Sequence, residues 1–556
     1  MDNVIQQKTN YENIQKKRGE YVEAILNSTS NKKVVVAGPG TGKTYLFKEI
    51  LKDNHNSLTL TFVNSLVEDL SLELFGMAEV KTLHSFARSI LSNITKKDIR
   101  ISPILSKIIK EDAQILLNKE IDFDRIFYEI DEENEFFEFY RNRKNYYNYY
   151  GYTDIIYAVV KCFEQDKKRI PTYQIVLIDE FQDFNKLEVS LIELLEEKSP
   201  ILLAGDDDQA LYDFKSASTK YIREKYNDST SGYASFTLPF CTRCTRVVVE
   251  SINDVIDSAI KNGFLSGRIN KPYNYFDCEK KDLESEKYPK IGYTQQFSSK
   301  IPWFIEKKIA KMANDLKSEF TVLIISPYKK QSFKIAKSLK NKGLNNIEYS
   351  SKDESELTLL DGIKLLIEDI HDNLGWRIAS KFLLNEEDFN SLLQTSYSNP
   401  EKNIYDLLDS KIKKEIKNIT KVLKYVKNDK PVNKEQFGNV LEKINYDPYA
   451  ISELSIKENM NHTAQRIGIP AIRKIPIKST TIQSSKGLSG DLVFITHFDD
   501  RYFIKNKDKT KISDQDICNF LVSLSRTKQR VYLISSKEEK PKFLKWISEN
   551  RIEIIR

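Results

Sequence analysis

The sequence predicts an α/β fold built on two parallel sheets, and three observations lead to this prediction. Short apolar runs alternate with helical patterns in "KKVVVAGPGTGKTYLFKEIL" (32–51) and "SLTLTFVNSLVEDL" (57–70). Two further apolar runs, at 173–184 and 199–209, end in acidic residues. A second series of such runs follows, at 319–330, 491–498 and 530–535. Nearly continuous apolar strands separated by helices are typical of parallel sheets that are covered on both faces.

Two polar, helix-patterned stretches interrupt these series, so we expect each α/β domain to carry a helical insertion. The predicted parts are a first α/β domain at 1–95 and 151–235 with its insertion at 96–150, and a second α/β domain at 236–349 and 471–556 with its insertion at 350–470. A chain of 556 residues is long enough for two to four domains.

Composition narrows the class of protein. Hydrophobic residues make up 40% and charged residues 30% of the chain, as in soluble globular proteins. The formal charge of +6 is compatible with nucleic-acid binding but does not argue for it. No apolar run reaches the roughly 18 residues of a membrane span, and the N-terminus lacks a signal-peptide pattern. We therefore expect a cytoplasmic protein with no membrane partner.

Cysteine usage fits a reducing compartment, because five thiols are scattered along a long chain. Cys241 and Cys244 form a CxxC pair. No second pair or nearby histidine completes a zinc site, so two ordinary small residues are the favoured interpretation, and a metal or redox role is not.

The stretch "AGPGTGKT" (37–44) follows an apolar strand and opens a helix, which is the setting of a phosphate-binding loop. Its glycines let backbone N–H groups face the phosphates. Lys43 would reach the β- and γ-phosphates, and Thr44 would bind Mg²⁺. The residues assigned to the nucleotide here are Gly38, Gly40, Thr41, Gly42, Lys43 and Thr44.

The stretch "LIDEFQD" (177–183) supplies the acidic partners of that loop. Asp179, at the end of the strand, would hold Mg²⁺, and Glu180 would orient and deprotonate the attacking water. The alternative is a pair of acids on a solvated turn, although the apolar strand before them favours a buried strand end.

With these motifs the chain resembles superfamily 1A DNA helicases of the UvrD/Rep/PcrA group. Further motifs occur in that family's order: "TFVNSLVEDL", "TLHSF", "IDEFQDFN", "GDDDQALYDFKSA", "LPFCTRCTR", "STTIQSSKGL" and "VSLSRTKQRVYLIS". The resemblance implies two RecA-like P-loop NTPase domains, 1A and 2A, with helical insertions 1B and 2B. It also implies ATP and Mg²⁺ as cofactors and 3′-to-5′ movement on single-stranded DNA.

The resemblance assigns further site residues. Gln209, Arg243 and Arg526 would contact or stabilise the γ-phosphate, and Gly487 would lie at the nucleotide. Tyr212 and Phe214 would stack on bases, which is a sequence-independent interaction; the alternative is that both rings belong to the core. The remaining DNA-contacting positions are Asn64, Thr82, His84, Thr481 and Lys486. A structural role for His84 is the open alternative.

Three departures from the family affect the base and the sugar rather than the phosphates. Thr242 replaces a tyrosine that stacks on adenine, Ser489 replaces a glutamate near the ribose, and Gln15 is a poor match to the adenine-reading glutamine. We therefore hypothesise loose nucleotide selectivity. A preference for ATP over GTP and CTP of more than about tenfold would contradict this hypothesis.

The expected function is that of an ATP-dependent 3′-to-5′ single-stranded DNA translocase and helicase, in DNA repair or anti-phage defence. Its substrate would be single-stranded DNA or a 3′-tailed duplex. The compact motor is similar to the helicase subunit of Gabija-type defence systems, which works beside a nuclease, and this suggests a nuclease or another defence-complex protein as partner. The alternatives are a DNA-stimulated NTPase that senses or regulates within such a complex, a non-enzymatic scaffold, and an RNA substrate.

One further stretch, "RNRKNYYNYYGY" (141–152), interleaves basic residues with aromatic rings. It would either line a path for single-stranded nucleic acid or pack at the root of the first insertion, and packing is the favoured interpretation.

Overall fold

The fold was analysed in a computed structural model of the full chain. The described residues are 2–54, 56–61, 64–211, 216–315, 319–349, 357–428, 430–444, 475–506, 508, 511–536 and 539–556. No helix in these ranges is long and apolar enough to span a lipid bilayer.

The described chain alternates strands and helices. The strands are β1 (Lys32–Ala37), β2 (Ser57–Thr61), β3 (Glu79–Thr82), β4 (Ile175–Ile178), β5 (Ile201–Gly205), β6 (Ala234–Leu238), β7 (Phe240–Cys241), β8 (Asn274–Tyr275), β9 (Ile291–Gln295), β10 (Val322–Ser326), β11 (Ile347–Tyr349), β12 (Ile477–Thr481), β13 (Gly490–Thr496), β14 (Thr527–Ser535) and β15 (Ile552–Ile554). The first helices are α1 (Asp2–Leu26), α2 (Lys43–Leu51), α3 (Asn64–Glu73), α4 (Leu83–Thr95), α5 (Leu105–Leu117), α6 (Phe123–Glu129), α7 (Phe137–Tyr147), α8 (Tyr152–Gln165), α9 (Lys186–Glu196), α10 (Lys220–Asn227) and α11 (Arg246–Lys261). The others are α12 (Glu279–Lys287), α13 (Ile301–Asp315), α14 (Lys329–Asn341), α15 (Leu359–Glu368), α16 (Asn373–Leu383), α17 (Glu386–Ser398), α18 (Ile404–Leu407), α19 (Ser410–Lys427), α20 (Lys434–Lys443), α21 (Asp500–Phe503) and α22 (Asp514–Ser525).

The chain divides into two compact units, and the first contains both large sheets. It comprises residues 1–87, 159–352 and 469–556. One sheet has six strands in the order β3-β2-β4-β5-β1-β6, and the other has seven in the order β11-β12-β10-β13-β14-β9-β15. All pairings in both sheets are parallel. The predicted α/β class with parallel sheets is therefore confirmed.

The central strands of the six-stranded sheet show why the apolar runs fold this way. β5 is buried along its whole length, and β4 is buried from its second residue onward. A parallel strand is covered on both faces, so its sequence is apolar at consecutive positions instead of alternating. The carboxyl ends of β1, β4 and β5 meet at one edge of this sheet, and that edge carries the phosphate loop and the acidic motifs.

The second unit is helical and combines the two stretches that interrupt the α/β pattern. It comprises residues 88–158 and 353–468. Apolar side chains of α15–α20 form its core, and Ile115, Leu116 and Tyr146 from the earlier segment pack against that core. The sequence analysis treats the insertions as separate subdomains with their own boundaries. The shared core is a long-range property that helical periodicity within either stretch does not reveal.

A buried ionic cluster joins the two segments of this unit. Asp112 on α5 accepts hydrogen bonds from Arg143 and Tyr147 on α7 and from Arg377 on α16. These side chains are at most 3% exposed. Nearby, Asp372 accepts hydrogen bonds from Arg100 and from Tyr149. The basic and aromatic residues of 141–152 therefore contribute to packing, as the favoured interpretation predicts.

Candidate functional site

The phosphate loop connects β1 to α2 and depends on glycine at particular positions. Gly40 and Gly42 have φ of 72° and 102°, in the left-handed region that other residues rarely adopt. A Cβ atom on Gly40 would lie 2.5 Å from Cβ of Arg243, and one on Gly38 would lie 2.7 Å from Cδ2 of Tyr273. Backbone conformation and close approach of the neighbouring chain therefore both require glycine in this loop.

Hydrogen bonds from the segment after the six-stranded sheet hold the loop. The backbone N–H and the hydroxyl of Thr242 donate to the carbonyl oxygen of Gly40 at 2.9 and 3.1 Å. The hydroxyl of Tyr273 donates to the carbonyl oxygen of Pro39 at 3.0 Å. Thr242 thus holds the loop through its backbone and its hydroxyl, and it offers no ring on which a base could stack.

The acidic pair follows β4 and has an unusual backbone. Glu180 has φ of 55°, which is costly for a residue with a side chain and is often found at functional sites. Gln182 Nε2 donates to Glu180 Oε2 at 2.7 Å, and Lys43 Nζ lies 3.4 Å from Glu180 Oε1. The Glu180 side chain is therefore held beside the phosphate-loop lysine.

The two neighbouring carboxyl groups differ in pKa. Burial raises the pKa of Glu180, but the positive charges of Lys43 and Lys486 outweigh it, so the net pKa lies below the usual range. Burial and the adjacent Glu180 charge raise the pKa of Asp179. Glu180 is accordingly ionised at neutral pH, as a general base requires.

A side chain from the part of the chain that forms the seven-stranded sheet also lies beside Glu180 and the phosphate loop. Arg526, which follows α22, donates from a terminal guanidinium nitrogen to Gln209 Oε1 at 2.7 Å. Gln209 Nε2 in turn donates to Asp206. Burial and the nearby Arg243 lower the pKa of Arg526 to about 10, so the guanidinium stays charged at neutral pH. The side chains of Arg526 and Gln209 are thus oriented before any ligand binds.

Lys486 lies in the interior of this site and not at a surface. Its side chain is 1% exposed. Its ammonium pairs with Asp183, lies 3.4 Å from Glu180 Oε2 and donates to the carbonyl oxygen of Gln209 at 3.2 Å. The ammonium is thus committed to buried carboxylates in this structure, and the contact of Lys486 with DNA stays a prediction. The resemblance located the motif, but the motif does not report the burial of this lysine.

One cavity of about 560 Å³ joins these groups. Its lining includes every residue that the sequence analysis assigned to the nucleotide, the metal or catalysis: Gly38, Gly40, Thr41, Gly42, Lys43, Thr44, Asp179, Glu180, Gln209, Arg243, Gly487 and Arg526. The volume lies within the usual range of small-ligand pockets. A nucleotide in this cavity would contact groups from the domains of both sheets.

The three consecutive acids 206–208 have a different role from the acidic pair. Their carboxylate oxygens lie within 4.8 Å of one another. The buried ammonium of Lys271 pairs with all three, and Arg268 Nε donates to Asp208 at 2.8 Å. Arg223 Nε donates to Asp207 at 3.1 Å, so three protein cations balance the three carboxylates without a metal ion.

The structure locates some of the residues that the resemblance assigned to DNA. Thr82 ends β3, and its hydroxyl accepts a hydrogen bond from the backbone of Ser85 at 3.1 Å. His84 is half-buried in the first turn of α4. Thr481 ends β12, and its hydroxyl pairs with Ser484 at 3.2 Å. Both threonines therefore shape local turns, and their contact with DNA stays a prediction.

Other DNA assignments fall outside the described parts. Tyr212 and Phe214 lie outside the described residues, and so does the side chain of Asn64, although its backbone begins α3. Base stacking by the two rings and the alternative core placement therefore both stay open.

Several site residues were not found by sequence reasoning. Gln182 links Glu180 to the backbone N–H of Asp206 at 2.9 Å, and Asp183 pairs with Lys486. Both lie within "LIDEFQD", so the density of polar residues after a buried strand was a usable signal. Tyr273 has no such signal, because it reaches the phosphate loop from more than 200 residues away in the sequence.

Comparisons with known proteins agree with this geometry. The family model described as the UvrD/REP helicase N-terminal domain matches residues 124–230. A Mycoplasma capricolum protein named "Probable DNA helicase II homolog" is 22% identical, over 92% of this chain and 83% of its own length.

Two other relatives match shorter parts. "ATP-dependent DNA helicase PcrA" of Staphylococcus epidermidis is 24% identical over 43% of this chain and 39% of its own length. "DNA helicase II" of Escherichia coli is 30% identical over 17% of this chain and 13% of its own length. The chain thus spans most of the Mycoplasma relative but well under half of these two.

Proposed function

We propose that this UvrD/Rep/PcrA-like chain is an ATP-dependent DNA helicase that translocates along single-stranded DNA. The observation that carries the proposal is the hydrogen bond between Arg526 and Gln209, which joins the domains of the two sheets at the phosphate loop. An arginine supplied across such a junction makes hydrolysis depend on how the two domains approach each other. That dependence is what a motor needs to convert hydrolysis into movement.

The cavity residues would divide the chemical work. The loop N–H groups and Lys43 would hold the phosphates. Glu180 would accept a proton from the attacking water, since its charge is stabilised by Lys43 and Lys486. Arg243 and Arg526 would stabilise the charge that develops on the γ-phosphate, and Gln209 would orient the water or sense the phosphate.

The donor set fits a magnesium ion, because hard oxygen ligands converge in one cavity. Thr44 and Asp179 would hold it. When bound, the ion neutralises phosphate charge. Burial and the charge of Glu180 raise the pKa of Asp179 although Lys43 and Lys486 oppose them, and a divalent cation at this carboxylate would favour its charged form.

Lys486 would connect the nucleotide site to the segment that is proposed to contact DNA. Its ammonium pairs with Asp183 and Glu180. In the sequence, Lys486 lies three residues after Gln483, within the motif "STTIQSSKGL" that also contains Thr481. A change in charge at Glu180 would therefore be felt by the segment that carries a proposed DNA contact. This is an electrostatic link and requires no contact between Lys486 and DNA.

The finer parts of the proposal rest on the resemblance. They are 3′-to-5′ polarity, a role in repair or anti-phage defence, and a nuclease or defence-complex partner. Loose nucleotide selectivity also belongs here, and it is supported by the commitment of Thr242 to the phosphate loop. DNA contacts would fall on Asn64, Thr82, His84, Tyr212, Phe214, Thr481 and Lys486.

Steady-state hydrolysis of ATP, with and without single-stranded DNA, tests the proposal on wild type and Glu180→Gln. We expect DNA to stimulate wild type and the substitution to lower the rate by about 10²–10⁴, because it removes the general base. Glu197→Gln is the matched control, since Glu197 is exposed near the same sheet and pairs with Lys167.

Strand displacement on 3′- and 5′-tailed duplexes then separates the alternatives. Unwinding of the 3′-tailed duplex supports the helicase and its polarity. DNA-stimulated hydrolysis without displacement favours a sensor or regulatory NTPase. Hydrolysis that is indifferent to DNA in wild type would contradict the motor itself.

A further inference from the structure

The CxxC pair occupies a position that the proposed mechanism does not use. Cys241 ends β7, and Cys244 lies just before the N-cap of α11. Both side chains are completely buried. The two residues between them are Thr242, which holds the phosphate loop, and Arg243, which lines the nucleotide cavity. Any change in the backbone of this short turn therefore changes two groups of the nucleotide site.

The two thiols are immediate neighbours with unequal acidity. Burial raises the pKa of the Cys241 thiol, but hydrogen bonds from Cys244, Tyr273 and nearby backbone groups outweigh it, so the pKa lies below the ordinary value. The hydrogen bond to Cys241 and burial raise the pKa of Cys244. One low-pKa thiol beside a second thiol is the arrangement found in reactive CxxC pairs.

Both thiols also touch elements of the nucleotide site. A Cβ atom on Gly40 would lie 3.3 Å from Cys241 Sγ, so this sulfur lies directly behind the phosphate loop. Cys244 Sγ lies 3.7 Å from the carbonyl oxygen of Ser525, the residue before Arg526. Thr242 and Arg243, between the two buried cysteines, line the nucleotide cavity, so we expect a small oxidant to approach the pair from that side and a bound nucleotide to hinder it.

We propose that Cys241 and Cys244 are a redox modification site, at which hydrogen peroxide forms an intramolecular disulfide that stops nucleotide hydrolysis. The Cys241 thiolate attacks one peroxide oxygen, the O–O bond breaks, and the released hydroxide takes up a proton to become water. The sulfenic acid on Cys241 is then attacked by Cys244. The S–S bond forms as the S–O bond breaks, and a second water leaves.

In sum, one peroxide is reduced to two waters and two thiols are oxidised to one disulfide. A dithiol reductant reverses the reaction by thiol–disulfide exchange.

The disulfide would act through the turn that it closes. A disulfide fixes the separation and the direction of its two Cβ atoms, so the backbone of Thr242 and Arg243 must adapt to it. Arg243 approaches Gly40 so closely that a small displacement moves its guanidinium relative to the γ-phosphate. This part of the inference rests on the proposed nucleotide hydrolysis, whereas formation of the disulfide does not.

The experiment uses the reduced full-length protein, treated with hydrogen peroxide, alkylated and mapped by peptide mass spectrometry. We expect a disulfide between Cys241 and Cys244, and loss of ATP hydrolysis by about 10³, the effect of losing an arginine that stabilises the transition state. Dithiothreitol should restore the rate, and ATP with Mg²⁺ during the treatment should slow disulfide formation.

Two variants sharpen the test. Cys244→Ser should form no disulfide, and its hydrolysis should not show the loss that dithiothreitol reverses. Cys278→Ser, which removes a half-buried thiol elsewhere, should behave as wild type. If Cys244→Ser does not fold, the wild-type protein with and without the reductant still decides the question.

The outcomes separate the two proposals. Absence of the disulfide at peroxide levels that oxidise Cys278, or a disulfide with full hydrolysis and full nucleotide affinity, overturns the inference. If the reduced protein hydrolyses no nucleotide, the proposed function fails, and binding of a fluorescent ATP analogue then reports the effect of the disulfide.

Discussion

The two compact units both bury charged side chains, but the carboxylates in them behave in opposite ways. In the helical unit, Asp112 accepts hydrogen bonds from two arginines and a tyrosine. Burial raises its pKa, but Arg377 and Arg143 outweigh that, and the net pKa is lowered. In the sheet-containing unit, burial raises the pKa of Asp183 to about 6, although Lys486 opposes it.

The difference lies in how completely each carboxylate is satisfied. Asp112 and Glu111 balance the charges of Arg143 and Arg377 within the helical unit, and none of these four residues lines the nucleotide cavity. The Asp183 cluster shares Lys486 with Glu180, which lines the nucleotide cavity. A network whose charges are balanced within the protein stabilises the fold, whereas one beside a ligand cavity keeps charge available for a ligand. Removal of a charge would therefore lower the activity of the sheet-containing unit, whereas in the helical unit it would lower the stability.

The strongest test of this contrast is Arg526→Ala. We expect hydrolysis to fall by about 10³–10⁵, because the guanidinium would stabilise the transition state. The free energy of unfolding should change far less, since Gln209 keeps its hydrogen bond to Asp206. Steady-state ATP hydrolysis and thermal unfolding measure the two effects.

Arg501→Ala is the matched control for that variant, because Arg501 is exposed and donates a side-chain hydrogen bond to Ser536. If Arg526→Ala loses stability but keeps its rate of hydrolysis, the proposed difference between the two units is wrong.

Asp112→Asn tests the helical unit. Removing the charge leaves Arg143 and Arg377 buried without their shared counter-ion, which typically costs about 3–5 kcal/mol. We expect hydrogen exchange in α5, α7 and α16 to accelerate accordingly, while β1 and β5 keep their protection. DNA-independent hydrolysis should stay near the wild-type rate.

The control here is Asp98→Asn, since Asp98 forms an exposed pair with Arg88 in the same unit. Replacing Asp112, Arg143 and Arg377 together by apolar residues of similar volume should recover much of the lost stability. Equal protection in Asp112→Asn and wild type would show that the cluster does not stabilise the fold.

The smallest expected effect concerns Asp154, which is the exception within the helical unit. It accepts hydrogen bonds from Tyr140 and Gly151, but burial raises its pKa to about 6. Because the folded pKa lies above the unfolded one, this group stabilises most below about pH 4 and progressively less as the pH rises to about 6. Asp154→Asn should remove that slope.

The difference in unfolding free energy between Asp154→Asn and wild type should therefore shift by about 2 kcal/mol in favour of the variant from pH 4.5 to pH 7. Denaturant unfolding at the two pH values measures it. A difference that does not change with pH would mean that Asp154 is ionised throughout and belongs with Asp112.

The features that depend on contiguous motifs could be predicted from the sequence. The features that depend on contacts between distant residues could not. The α/β class and the resemblance are confirmed, because apolar runs and the phosphate loop are contiguous in the sequence. The loop residues 38–44 and the acidic pair line one cavity for the same reason, because they follow β1 and β4, whereas Arg526 follows α22. Their chemical roles stay predictions.

The features that the sequence did not predict depend on contacts between residues that are far apart in the sequence. Burial of Lys486 depends on Asp183, about 300 residues earlier, and no local pattern reports it. The shared core of the helical unit likewise joins Ile115 and Leu116 to helices made much later. Periodicity predicts which face of a helix is apolar, but not which partner covers it.

That shared core has a consequence for synthesis on the ribosome. Of the two segments of the helical unit, residues 88–158 leave the ribosome first. Arg377 and the helices that cover Ile115 and Leu116 follow roughly 200 residues later. At typical elongation rates that interval lasts about 10–40 s. During it Ile115, Leu116 and Tyr146 lack the core of α15–α20 against which they pack, and Asp112 has only one of its two arginines. A chaperone that covers these side chains would protect the early segment from aggregation in that interval.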